Sequence, residues 1–94
     1  MTHNGRQIKI HTFPDDIKLL RGISFIQGDA YIIGINKKLT QDQYKHTLGH
    51  ELAHIFLNHL DNLKPGERTT AEQEQEADER ATEFYSLFVN QVSL

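Results

Sequence analysis

His50 and His54 stand four residues apart with Glu51 between them, inside the stretch TLGHELAHIFLNH that runs from Thr47 to His59. On a helix this spacing projects both imidazoles from one face, so that the pair can grip one ion, and it leaves Glu51 a fraction of a turn aside on the border of the same cleft. The pattern is H-E-x-x-H. In zinc hydrolases it supplies two metal ligands, while the glutamate takes a proton from water whose pKa the cation has lowered to about 7.

The competing reading is a histidine pair satisfied by protein partners in a core. Leu48, Leu52, Ile55 and Phe56 make one apolar face of the same helix, and Ala53, Leu57 and Leu60 border the histidines from the other side. Little of this helix can therefore face water, which argues against a solvated histidine surface. A buried pair without metal would need other partners for its ring nitrogens. His59 lies about 140° around the helical wheel from His54 if the helix continues, and so points elsewhere. Zinc proteases that draw a third histidine from the same stretch use H-E-x-x-H-x-x-G-x-x-H; here the spacing is one short, and Leu57 occupies the glycine position. His59 is expected to interact with the carbonyls at the helix end.

The rest of the composition narrows the ligand set. Cysteine is absent, so disulfides and thiolate zinc sites are excluded and His, Asp and Glu remain as the good transition-metal ligands. A net charge of -3 with ten scattered Lys and Arg provides no field that would favour direct nucleic-acid binding. No apolar run approaches the ~20 residues of a membrane span, and Met1 to Asp15 lacks the layout of a signal peptide. The expectation is one small cytoplasmic domain, residues 1–94, without membrane association.

Several elements must position the cluster. In QIKIHTF, Gln7 to Phe13, isoleucines alternate with polar residues as in a half-buried strand, and Pro14 ends it. PDDIKLLRG predicts a turn or a single helical turn. ISFI and YIIGI flank QGDA and predict a β-hairpin. Thr40 with Gln43 forms a capping box at the start of a helix from about Gln41 to about Leu60. NLKPGERTT is a loop, after which Thr69 with Glu72, or Thr70 with Gln73, caps a last helix to about Asn90.

With His59 set aside, a carboxylate from the last helix must complete the ligand set. Glu74, Ala77, Asp78 and Ala81 share one stripe whose small residues permit close helix approach, whereas Glu76, Glu79, Arg80 and Glu83 form a charged stripe. A plain solvated helix with an i,i+4 pair between Glu76 and Arg80 accounts for the second stripe but not the first. Face geometry therefore favours Glu74 over Glu76 as the third ligand. Asp78, one turn later, is suited to accept the free N–H of a ligating histidine.

The stretch from Arg21 to His59, followed by EQEADERA, resembles the ImmA/IrrE family of small bacterial and phage metallopeptidase-like proteins. The resemblance implies a hairpin ahead of the H-E-x-x-H helix, with His50, His54 and the inward glutamate of EQEAD as zinc ligands and Glu51 as acid/base. It is similar to the gluzincin pattern, whose third ligand lies on E-x-x-x-D, matched by Glu74 and Asp78. It also implies a protein substrate, a helix-turn-helix repressor in several members. The chain departs from the family where Arg80 replaces the usual Phe and where FYSLFVNQVSL replaces LLMP, which reads as a shortened C-terminal half.

These readings together predict an α+β domain in which a small antiparallel β-sheet, a hairpin plus an N-terminal strand, packs on two main helices as a minimal zincin-like fold. The expected function is zinc-dependent endopeptidase activity, with Zn²⁺ on His50, His54 and Glu74 and with Glu51 as base. Tyr44, Tyr85 and His59 are the candidate oxyanion stabilisers. The alternative is a zinc-stabilised regulatory or protein-binding module without catalysis. An RNA-processing role built on three histidines lacks the basic groove it would need.

Overall fold

A computed structural model of the chain describes residues 1–14 and 20–92. The turn expected in PDDIKLLRG falls largely on residues 15–19, outside the described residues.

The N-terminus forms two strands, β1 (Thr2–His3) and β2 (Arg6–Phe13), joined by Asn4 and Gly5, both at positive φ. Two consecutive left-handed residues are what a type I′ hairpin turn demands, and Asn-Gly meets that demand at least steric cost. β3 (Gly22–Gln27) and β4 (Ala30–Asn36) form the second hairpin across Gly28 and Asp29. Its first turn residue, Gly28, is at φ 62°.

The sheet runs β1-β2-β4-β3, and here the structure corrects one expectation: it is mixed, because β2 pairs with β4 in parallel, with Ile8 opposite Tyr31 and Ile10 opposite Ile33. Alternation in β2 specifies which side chains face inward but carries no information on strand direction. The inward rows are Ile8 and Ile10 on β2, Tyr31, Ile33 and Ile35 on β4, and Ser24 and Ile26 on β3.

Helix α1 (Gln41–Phe56) opens with the capping box read from the sequence: Thr40 Oγ1 accepts from the Gln43 amide at 3.2 Å, and the Gln43 side chain accepts from the Thr40 amide at 3.0 Å. α2 (Ala71–Glu79) uses Thr70 and Gln73 in the same way, which decides between the two caps. α1 packs on β3 and β4 and also on α2 and α3 (Ala81–Val92), so both halves of the fold share it. Leu48, Leu52 and Ile55 of α1 are fully buried with Tyr31, Ile33 and Ile35 of β4. No described helix is long and apolar enough to cross a membrane.

Two helix ends differ from expectation. The last helix is interrupted at Arg80, giving α2 and α3 where one helix was expected. The interruption falls where the backbone of Ala81 lies against Gly49 so closely that a Cβ on Gly49 would overlap the Ala81 carbonyl. α1, in turn, stops at Phe56 and not near Leu60. Asn58 adopts φ 62°, its amide bonds the Ile55 carbonyl at 3.0 Å, and the His59 amide bonds the His54 carbonyl at 2.9 Å. This pair of bonds around a left-handed residue is a Schellman motif.

The chain beyond that motif is clasped by the N-terminal hairpin. The Asp61 carboxylate accepts from Tyr31 Oη at 2.8 Å, Asn4 Nδ2 at 2.9 Å and Arg6 Nη1 at 3.2 Å. Burial and then this carboxylate raise the Tyr31 pKa above its ordinary value.

Gly49→Ala is expected to destabilise the fold by about 1–3 kcal/mol, because the added methyl meets backbone that cannot rotate away. Urea unfolding followed by circular dichroism measures it. Unchanged stability would show that α1 does not need the close approach.

Candidate metal centre

α1 is the rigid element from which His50, Glu51 and His54 project, and α2 brings Glu74 to them. His50 Nε2 lies 3.0 Å from Glu74 Oε1, His54 Nε2 lies 3.0 Å from Glu74 Oε2, and the two Nε2 atoms are 3.1 Å apart. One ligand atom from each of the three residues lies within 4.8 Å of the others. Zinc bonds of about 2.0–2.1 Å at tetrahedral angles separate ligand atoms by roughly 3.3 Å, so the side chains fit a shared ion with little movement. Two imidazoles and a carboxylate are a donor set that such a cation takes.

The surroundings of the three side chains differ. Burial lowers the pKa of His54, which favours the neutral imidazole a metal requires; His50 and His59 act in the same direction, against Glu74. Glu74 remains about half exposed. Burial disfavours its charge, but the Thr69 hydroxyl, which donates to Oε2, and the two histidines outweigh this and bring its pKa below the ordinary value. His50 Nδ1 lies 3.2 Å from Asp78 Oδ1, an arrangement in which the carboxylate accepts the ring N–H and leaves Nε2 free toward the cluster. Asp78 is held charged first by His46, whose Nε2 is 2.8 Å from the same oxygen.

Glu51 is 7% exposed, and its Oε1 accepts from the Ser24 hydroxyl at 2.7 Å. Burial pushes its pKa up, opposed by the Ser24 bond and by His50. It lines two clefts. One, of about 440 Å³, also includes Arg21, His46, His50 and Asp78; the other, of about 610 Å³, includes His54, Leu60, Leu63 and Arg68, and Glu74 borders both. A neutral or basic carboxylate at this divide reaches solvent from either side.

The structure therefore brings together His50, Glu51, His54, Glu74 and Asp78 of the residues singled out above, draws His59 in as well, and sets others apart. Tyr44 packs against the core, and Tyr85 lines a cleft with Asp42, Lys45 and His46; neither tyrosine lines the two clefts that Glu51 borders. His59 was expected to face the helix-end carbonyls, about 140° from His54. Instead, the Schellman turn returns its ring to 2.9 Å from His54, Nδ1 to Nδ1. Glu76 was expected to pair with Arg80; it meets His59 Nε2 at 2.8 Å, while Arg80 pairs with Glu83 and lies over the Phe84 ring.

Sequence reasoning missed His46 and Ser24. His46 carries a legible signal, since it precedes His50 by the same four residues that separate His50 from His54. Ser24 carries none, because only strand pairing determines that it faces α1.

In comparison with known proteins, the model of the IrrE N-terminal-like domain, a peptidase family of metallopeptidase type, matches residues 4–88. The chain belongs to that family. No curated protein and no solved structure matches it. Within this IrrE-like domain the matched span covers β2, the β3–β4 hairpin, all of α1 and α2 and most of α3.

Asp78→Ala in the IrrE-like domain is expected to weaken zinc binding about 10- to 100-fold while leaving one ion per chain, since it removes an acceptor and not a ligand. Competition against a chromophoric chelator measures the affinity. An unchanged constant would show that the His50 contact is incidental.

Proposed function

We propose that this domain is a zinc-dependent endopeptidase in which His50, His54 and Glu74 hold the ion and Glu51 is the catalytic acid/base. The observation that supports this reading most directly is the convergence of those three side chains beside a buried glutamate that opens onto two clefts. A zinc ion held there supplies Lewis acidity and makes a water molecule acidic enough to react at neutral pH. Glu51 accepts a proton from the attacking water as its oxygen bonds the scissile carbonyl carbon, and returns a proton to the leaving amine as the C–N bond breaks. Ser24, by donating to Oε1, fixes the carboxylate so that Oε2 is the atom left to exchange protons.

The sheet supports a peptide as substrate. β3 is an edge strand in the order β1-β2-β4-β3, and it borders the site through Gly22 and Ser24. An extended segment can add to such an edge through main-chain hydrogen bonds. Ile23 and Phe25 on β3 are about two-fifths exposed, which adds apolar contact area for that segment. A regulatory protein such as a helix-turn-helix repressor, acted on in the cytoplasm, is the substrate class we assign.

Glu51→Gln is expected to abolish peptide hydrolysis, with a loss of at least about 100-fold, because it removes the base. Bound zinc should remain stoichiometric, and metal analysis beside a protease assay on a candidate repressor tests both statements. Glu74→Ala, by contrast, should lose the ion. Should Glu51→Gln retain function while His50→Ala loses metal and fold together, the domain is a zinc-stabilised binding module and not a peptidase.

A further inference from the structure

His59 takes no part in the chemistry just described, yet it is 5% exposed and both of its ring nitrogens have a partner. Nδ1 faces His54 Nδ1 at 2.9 Å, and Nε2 faces Glu76 Oε1 at 2.8 Å. With a neutral imidazole at His59 and a cation at the proposed site, these two contacts fix where the protons are. An ionised carboxylate only accepts, so the proton between His59 and Glu76 is on His59 Nε2. A neutral imidazole carries one N–H, which leaves Nδ1 of His59 as a lone pair. That lone pair accepts from His54 Nδ1–H, and the same count leaves His54 Nε2 bare. The bare nitrogen is the one that faces His50 Nε2 and Glu74. With the opposite order, an unprotonated His59 Nε2 would confront a carboxylate at 2.8 Å with no hydrogen between them; at His54 Nε2, 3.0 Å from Glu74 Oε2, the cation of the proposed site takes the place of that hydrogen.

We infer that His59 and Glu76 are positioning residues for the metal centre: a two-step relay, fastened by the Schellman turn at Asn58, holds His54 in the Nδ1–H tautomer and presents its Nε2 lone pair to a divalent cation. The inference rests on the zinc reading of His50, His54 and Glu74. It parallels the role of Asp78 at His50 but differs in form, because the acceptor next to His54 is itself a histidine whose polarity comes from a glutamate. It also gives a use to Glu76, which is half exposed and whose carboxylate reaches inward to His59. Leu57 and Asn58 close the turn, so the spacing from His54 to His59 is the one that a C3 and a C″ residue must have.

The test is zinc affinity of the metal-free protein at one fixed pH, read by competition with a chromophoric chelator, for wild type, His59→Leu, His59→Asn and Glu76→Ala. His59→Leu keeps bulk but removes the acceptor, and a loss of about 10- to 100-fold at unchanged stoichiometry is expected. His59→Asn offers an amide oxygen near the Nδ1 position and should recover most of that loss, which a mere packing role would not predict. Glu76→Ala, half exposed and so no threat to folding should His59→Leu prove unstable, should weaken binding in the same direction. Long-range ¹H–¹⁵N spectra of the zinc form should show His54 protonated at Nδ1 in wild type. Wild-type affinity in both His59→Leu and Glu76→Ala, or a zinc-bound Nδ1 on His54, overturns the relay alone. Wild type that binds no zinc overturns the metal reading and the relay with it.

Discussion

The approach of α1 to the α2–α3 junction, backbone against backbone at Gly49 and Ala81, is the constraint on which the proposed metal centre depends. The proposed ligands lie on two different helices and must converge to within a few ångströms, and long side chains alone would leave them mobile. Glycine on one side and alanine on the other remove the atoms that would hold the helices apart. His50 follows Gly49 directly, and Glu74, Ala77 and Asp78 lie on the α2 surface so drawn in. Ala77 and Ala81 are fully buried. The interruption at Arg80 is part of the same arrangement, since α3 leaves the junction in a new direction and packs along the rest of α1.

Around that contact the polar groups are organised by what each can donate. Every ring nitrogen of His50, His54 and His59 has a neighbour within 3.2 Å. Among the described residues no buried side-chain nitrogen or oxygen is left without a hydrogen-bond partner. Asp78 lies at the outer end of these contacts beyond His50 and Glu76 beyond His59, while Glu74 lies at the inner end between His50 and His54. In the proposed relay protons lie outward and lone pairs inward, which is the electrostatic form a cation site requires. Glu51 stands apart from this pattern. It is buried, tied to Ser24 on a different layer of the fold, and shifted toward the protonated form by that burial, as suits a group that both takes and returns a proton.

The sheet contributes in two ways. Its inner face supplies Tyr31, Ile33 and Ile35 to the core that holds α1 in place. Its edge strand carries Gly22, where a Cβ would collide with the Thr47 side chain and crowd Glu51. The absence of a side chain at Gly22 therefore allows α1 to sit close enough for Ser24 to reach the carboxylate.

Local chemistry is what the sequence by itself determined. The capping boxes, the hairpin turn at Gly28, the H-E-x-x-H spacing and the stripe of Glu74, Ala77 and Asp78 all depend on residues within a turn or two of one another, where helix and turn geometry set the outcome. Tertiary structure alone decided the parallel pairing of β2 with β4, the break at Arg80 and the positions of Ser24 and Glu76, because each follows from what another segment of chain presents. His59 belongs to both. Its distance from His54 is local, but a straight helix and a Schellman turn place its ring on different sides. The left-handed Asn58, held where the N-terminal hairpin packs on the helix end through His3 and Asn4, selects the turn.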